Sequence, residues 1–70
     1  MTTETYRVTG MTCGHCVTAV TEELTTLADV TSVTVDLAAG GTSDVTVESS
    51  APLDRADVVR AVDEAGYALA

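Results

Sequence analysis

The stretch TSVTVDLAAGGTSDVTVES, residues 31–49, alternates apolar and polar side chains on both sides of a glycine pair. Alternation with a period of two is typical of a half-buried β-strand, and Gly40 with Gly41 supplies the turn between the two runs. The apolar positions are Val33, Val35, Leu37, Val45 and Val47. The segment therefore predicts a β-hairpin whose Thr, Asp and Glu side chains face water.

The chain before the hairpin contains one strand pattern and one helix pattern. ETYRVTG, residues 4–10, alternates and places Tyr6 and Val8 on one face, so it predicts a strand that ends at Gly10. From Gly14 onward the apolar residues fall at intervals of three and four, which predicts an amphipathic helix of three to four turns. Its apolar stripe consists of Val17, Val20, Leu24 and Leu27.

The chain after the hairpin contains a helix pattern followed by a short strand pattern. Pro52 opens the segment, Asp54 is a candidate N-cap, and Gly66 ends a second helical pattern. Its stripe is predicted to contain Val59 and Val62, with Val58 or Ala65 beside them. The closing residues 67–70, YALA, are long enough only for a short strand.

The element order is therefore βαββαβ, made of two similar units of about 35 residues each. An antiparallel sheet with one apolar face is covered by two helices in this order, and right-handed crossovers leave few other topologies. We predict a single domain over residues 1–70 with a ferredoxin-like α+β sandwich fold. Its expected core includes Val20, Leu24, Val35 and Val62.

The charge and the length of the chain restrict the functions that it can have. The chain has 70 residues and a formal net charge of −8, with no lysine and three arginines, Arg7, Arg55 and Arg60. Such acidity disfavours nucleic acid and anionic membranes as partners, and it fits solubility, salt adaptation or attraction to a basic partner. No signal peptide pattern opens the chain and no stretch approaches the ~20 apolar residues of a membrane span. We expect a soluble cytoplasmic protein.

The segment GMTCGHC, residues 10–16, contains both cysteines, the only histidine and one of the two methionines. Cys13 is predicted in the loop after the first strand and Cys16 in the first turn of the first helix. Unpaired N–H groups and the helix dipole favour a thiolate there. The two sulfurs can converge on one ion or on each other, so the spacing alone leaves metal binding and redox chemistry open.

The number of ligands narrows these alternatives. Structural zinc requires about four Cys or His ligands, and covalent haem requires a histidine directly after the second cysteine, where Val17 stands. A thiol-disulfide oxidoreductase has a larger fold and a proline against its disulfide, whereas Pro52 is distant in the chain. Two soft thiolates suit Cu(I). An exposed two-ligand site favours carriage and hand-over of that ion over catalysis.

The pattern G-M-x-C-x-x-C before an amphipathic helix, with EAGY at residues 64–67 after a second helix, resembles the heavy-metal-associated domain family over nearly the whole chain. Within the family the chain resembles a free-standing bacterial copper chaperone, because it starts with Met and ends just after the last strand. The resemblance implies delivery of Cu(I) to a copper-transporting P-type ATPase.

The resemblance also implies roles for five residues. Cys13 and Cys16 are the expected copper ligands, and Met11 is expected to point inward beneath the loop as core filler. His15 has three alternative roles: it tunes the thiolates, it takes part in a copper-bridged dimer, or it is a solvated loop residue. The protein without metal is expected to be a monomer. Tyr67 either limits solvent at the sulfurs or is a tyrosine at the edge of the core.

One feature departs from the family's eukaryotic cytosolic chaperones, which carry lysine-rich docking surfaces. This chain has no lysine. Either the partner supplies the positive charge, or the metal and the apolar contacts around the loop dominate recognition. The competing functions are a metal-scavenging or sensing module, a regulatory domain of the ATPase itself, and a small thiol-disulfide redox protein.

Overall fold

The computed structural model describes all residues from 1 to 70 and contains four strands and two helices in the order βαββαβ. The elements are β1 (Thr2–Thr9), α1 (Gly14–Thr25), β2 (Val30–Asp36), β3 (Thr42–Ser49), α2 (Arg55–Glu64) and β4 (Ala68–Leu69). The strands pair antiparallel in one sheet with the order β2-β3-β1-β4. This arrangement confirms the predicted ferredoxin-like fold.

The central hairpin joins β2 to β3 as the alternation predicts. Val33 lies opposite Val47 and Val35 opposite Val45, so the valines share the inner face of the sheet. In the turn, the Gly41 N–H donates to the Ala38 carbonyl at 2.9 Å. Gly40 adopts a φ of 77°, which a residue without Cβ reaches without strain.

The core lies between the inner face of the sheet and the two helices. Its buried apolar residues are Tyr6, Val8, Met11, Cys16, Val20, Leu24, Val45, Val47, Val58, Ala61 and Val62. The opposite face of the sheet carries polar side chains, among which the hydroxyls of Thr5 and Thr46 lie 3.2 Å apart in a cross-strand hydrogen bond. The core is therefore built on one face of the sheet only.

Three sequence predictions about the core need correction. Val35 is only half-buried, because β2 is an edge strand with a neighbour on one side. Val59 is 44% exposed, since the buried face of α2 contains Val58, Ala61 and Val62 at helical spacings of three and four. Leu27 packs half-buried in the turn that follows α1, not on the helix itself.

The ends of α2 follow the predicted signals. The Asp54 carboxylate accepts a hydrogen bond from the Ala56 N–H at 3.0 Å and caps the first turn. At the other end Gly66 has a φ of 93°, and the Tyr67 N–H donates to the Val62 carbonyl at 3.1 Å. This is a Schellman closure, and it turns the chain so that Tyr67 starts the return toward β4.

Neither helix has the length and apolar character that crossing a bilayer requires.

A matched pair of substitutions on α2 tests this packing. Val62 is fully buried and Val59 is 44% exposed, although they lie only three positions apart on one helix. We expect Val62→Ala to lower the free energy of unfolding by about 2 to 3 kcal/mol, because it removes buried methyl groups and leaves a cavity. Val59→Ala should change it by less than about 0.5 kcal/mol. Urea denaturation followed by circular dichroism measures both, and equal losses would contradict the packing.

Candidate metal centre

The two cysteines lie where β1 passes into α1. The connecting loop leaves the sheet at Gly10, which has a φ of 91°, and the next side chain, Met11, is completely buried. Met11 therefore lies under the loop as core filler and anchors it to the interior. Its burial removes its thioether from the surface on which Cys13 is exposed.

The local geometry of the helix start brings the two sulfurs together. Cys13 is the N-cap residue of α1 in an extended conformation, and its carbonyl accepts the N–H groups of Cys16 at 3.1 Å and Val17 at 3.3 Å. The Sγ atoms of Cys13 and Cys16 lie 3.7 Å apart as free thiols. A disulfide would bring them to about 2.05 Å.

The separation of the sulfurs suits two ligands on one metal ion. Metal–thiolate bonds of about 2.3 Å place two sulfurs up to about 4.6 Å apart when the three atoms are collinear. A near-linear arrangement therefore requires the present 3.7 Å separation to widen by less than about 1 Å. The exposed side chain of Cys13 can move by this amount without disturbing the core.

The two cysteines differ in burial. Cys16 is 8% exposed and belongs to the hydrophobic core cluster, whereas Cys13 is exposed. The sequence offered a signal for this difference, because Cys16 stands four residues before Val20 and eight before Leu24 and so continues the apolar stripe of α1. One sulfur is thus fixed by the core and the other is accessible to an incoming molecule.

Hydrogen bonds at the helix start stabilise the Cys16 thiolate. They lower the pKa of Cys16 to about 6, chiefly through the backbone of Thr12, then through the Tyr67 hydroxyl and the backbone of Cys13. Burial acts in the opposite direction but is the weaker effect. The Thr12 hydroxyl also lies 3.8 Å from the Cys16 sulfur. A pKa of about 6 favours the thiolate form of Cys16 at neutral pH.

Tyr67 approaches the loop from the end of α2. An added Cβ at Gly10 would lie 3.4 Å from Tyr67 Cδ1, so the glycine permits close contact with the ring. The interaction with the Cys16 sulfur raises the pKa of Tyr67, which keeps its proton as a donor. The Tyr67 hydroxyl lowers the pKa of Cys16 less than the backbone of Thr12 does.

His15 is exposed on the first turn of α1. Nowhere in the structure do three or more His, Cys, Asp or Glu side chains converge as a group able to hold a metal ion. His15 is therefore not placed with the two sulfurs as a third ligand. The chain by itself brings two cysteine sulfurs together without a third side chain of this kind.

The segment of chain that contains the two cysteines lacks charged side chains. Residues 8–21, which we call the uncharged segment, contain no Asp, Glu, Lys or Arg, although the whole chain has eleven acidic residues. This segment includes the loop and the first two turns of α1. The dithiolate is thus separated in sequence from the acidic residues that would oppose its negative charge.

These features agree with the comparison with known proteins. The heavy-metal-associated domain family matches residues 5–68, and the chain belongs to this family.

Two solved structures resemble the chain over nearly its whole length. One is a CopZ metallochaperone, with 31% sequence identity and a TM-score of 0.85 over 99% of this chain and 100% of that one. The other is a protein from Bacillus anthracis strain Ames, provisionally assigned as copper-ion-binding, with 35% identity and a TM-score of 0.70 over 99% of this chain and 97% of that one. No curated protein sequence shows significant similarity.

A titration of the Cys16 thiol tests the electrostatics of the site. In a Cys13→Ser background, which isolates Cys16, we expect the thiolate ultraviolet absorbance to rise with an apparent pKa of about 6. Tyr67→Phe should shift this pKa upward, because the hydroxyl no longer stabilises the thiolate. Tyr6→Phe, a change of the only other tyrosine, serves as the control and should leave it unchanged. A Cys16 pKa near that of a free thiol, about 8.5, would contradict the geometry.

Proposed function

We propose that the protein is a cytoplasmic metallochaperone that binds one Cu(I) between Cys13 and Cys16 and transfers it to a copper-transporting P-type ATPase. The observation that carries the proposal is the pair of sulfurs 3.7 Å apart at the start of α1, with no third ligand grouped beside them. The likeness to a CopZ metallochaperone supports copper as the cargo and carriage as the role.

The donor set favours Cu(I) over the commoner zinc ion. Soft thiolates are preferred ligands of Cu(I), and two of them in a near-linear arrangement are sufficient for it. Zinc in a closed site takes four ligands, so it would have to complete its shell with water, His15 or a second molecule. The two-sulfur site therefore favours Cu(I), which needs fewer ligands than zinc.

Capture of the ion begins at Cys16, whose thiolate form is already favoured over the thiol. Cys16 is mainly deprotonated at neutral pH, and both cysteines bind the metal as thiolates, because only a thiolate is a strong ligand. Two thiolates and one Cu(I) carry a net charge of −1 in place of −2. The N–H groups at the start of α1 and the uncharged segment around the site both reduce the unfavourable energy of this charge.

Hand-over is an exchange of thiolate ligands in which copper keeps its oxidation state. An acceptor thiolate approaches from the side where Cys13 is exposed and adds to the metal as a third ligand. Cys13 then leaves, a second acceptor thiolate takes its place on the metal, and Cys16, held by the core, leaves last. The ion is bonded to at least two sulfurs throughout, so it is never released into water.

The uncharged segment also indicates how an acceptor docks. Since residues 8–21 carry no charge and the chain has no lysine, contact around the site relies on the metal and on short-range packing. The acidic residues elsewhere repel other acidic proteins and disfavour unproductive encounters. This mode of docking differs from one based on a basic chaperone surface.

One observation favours a second function, thiol-disulfide exchange by the same pair. The lowered pKa of Cys16 and the short distance between the sulfurs are both properties of redox-active cysteines. We expect air to oxidise the metal-free protein to a Cys13–Cys16 disulfide that does not bind copper. Catalytic reduction of an insulin disulfide at oxidoreductase rates would favour the redox function; absence of turnover would favour carriage.

Replacement of the sulfurs tests the proposed ligands. We expect Cys13→Ser and Cys16→Ser each to weaken Cu(I) binding by more than about 100-fold, because a single thiolate cannot hold the ion against a chelator. Anaerobic titration against a competing Cu(I) chelator, with intact mass to count bound ions, measures the loss. His15→Ala is the control and should bind one Cu(I) with affinity close to that of the wild type.

Circular dichroism of the same variants separates loss of the ligand from loss of the fold, and Cys16→Ala replaces Cys16→Ser if the buried hydroxyl destabilises the core. Copper retention by either cysteine variant at wild-type affinity would contradict the two-thiolate site.

A substitution beside the first cysteine tests the choice of metal. Thr12→Asp places a carboxylate next to Cys13, and carboxylate oxygen is a ligand that zinc accepts readily. We expect zinc affinity to rise by about tenfold while Cu(I) affinity changes little. Thr18→Asp, which adds the same charge on the exposed face of α1, should raise zinc affinity far less. Equal or tighter binding of Zn(II) than Cu(I) by the wild-type monomer, in competition at neutral pH, would overturn the copper assignment.

A further inference from the structure

A groove of about 420 Å³ lies between α2 and β4, on a flank that no residue of α1 lines. Ala56 and Val59 of α2 and Leu69 of β4 contribute apolar surface to it, and Tyr67 also lines it. Val59 is 44% exposed, more than any other large apolar side chain except Met1. The groove therefore presents apolar surface that the fold itself leaves uncovered.

The floor of the groove borders an open edge of the sheet. β4 pairs only with β1, where the Ala70 N–H donates to the Arg7 carbonyl at 2.8 Å and Ala68 lies opposite Thr9. In an antiparallel pair the intervening residue directs its N–H and C=O to the other side. The backbone of Leu69, a residue that lines the groove, therefore offers an unpaired donor and acceptor at the open edge of the sheet.

The charges at the groove contrast with those of the whole chain. Two of the three arginines, Arg55 and Arg60, line it. Arg60 pairs with Asp57 at 3.5 Å and Arg7 pairs elsewhere with Asp44 at 3.3 Å, so Arg55 is the one guanidinium without a carboxylate partner. Asp63 also lines the groove. A bound anionic group is therefore best placed at Arg55.

We propose that this groove is a second binding site, and that it takes an extended polypeptide segment carrying an apolar side chain and a carboxylate. The segment adds to β4 as a further strand through the backbone of Leu69, its apolar side chain covers Val59, and its carboxylate pairs with Arg55. The open edge and the apolar groove both favour an extended peptide, whereas a small molecule would satisfy only one of them.

Tyr67 places this site beside the metal centre. It lines the groove, and its hydroxyl acts on the Cys16 sulfur. A partner that inserts a segment here would therefore hold its own surface next to the metal loop. The binding itself depends on the groove alone and is independent of which metal the cysteines carry.

A defined peptide probes the site in the reduced, metal-free protein. The probe is acetyl-Val-Glu-Val-Glu-Val-amide, titrated into the full ¹⁵N-labelled chain at about 0.15 M salt, where screening within about 8 Å limits repulsion by distant acidic residues. We expect saturable amide shifts centred on Arg55, Val59 and Leu69. The matched peptide with lysine in place of glutamate should produce no saturable shifts at these residues.

Substitutions with matched controls distinguish specific binding in the groove from nonspecific association of the peptide. Val59→Ser and Arg55→Gln should each weaken binding of the acidic peptide by about tenfold. Leu37→Ser and Arg7→Gln make the same chemical changes outside the groove and should leave binding unchanged. The inference is overturned if the acidic peptide gives no saturable shifts in the groove, if the lysine peptide binds there equally well, or if the control variants weaken binding as much.

Discussion

Cys16 packs at the head of the buried stripe of α1, and this contact joins the proposed metal site to the core. With Val20 and Leu24 it forms a line of buried side chains with a spacing of four residues. Because the line packs on the inner face of the sheet, the core fixes the position of one sulfur. The other sulfur, on the N-cap residue, is then placed by the backbone at the start of the helix.

The same arrangement explains the chemistry of the site. The start of α1 supplies backbone hydrogen bonds that lower the Cys16 pKa, and the Schellman closure of α2 brings Tyr67 to the loop. The first effect is local, whereas the second depends on the tertiary fold, since Tyr67 lies more than 50 positions after Cys16 in the sequence. A rigid inner thiolate and an accessible outer one are the features that a carrier requires.

The sequence predicted the fold because its signals are local and agree with each other. The valine alternation on both sides of Gly40, the apolar stripe of α1 and the Asp54 cap each predict the observed element. The predictions that were wrong concern the burial of single residues, which depends on tertiary packing. Val35 has the right period but belongs to an edge strand, and Val59 adjoins the buried stripe of α2 without being part of it. The contact of Tyr67 with Gly10 and the groove beside β4 depend on how distant elements meet, which no local pattern encodes.

The central claim is that two thiolates, and no other side chain, hold the copper ion. X-ray absorption spectroscopy of the protein loaded anaerobically with one Cu(I), in a buffer free of added thiols, tests it most directly. The account predicts a Cu(I) edge and a first shell of two sulfur atoms. A first shell that contains a histidine nitrogen, or a single sulfur, would contradict it.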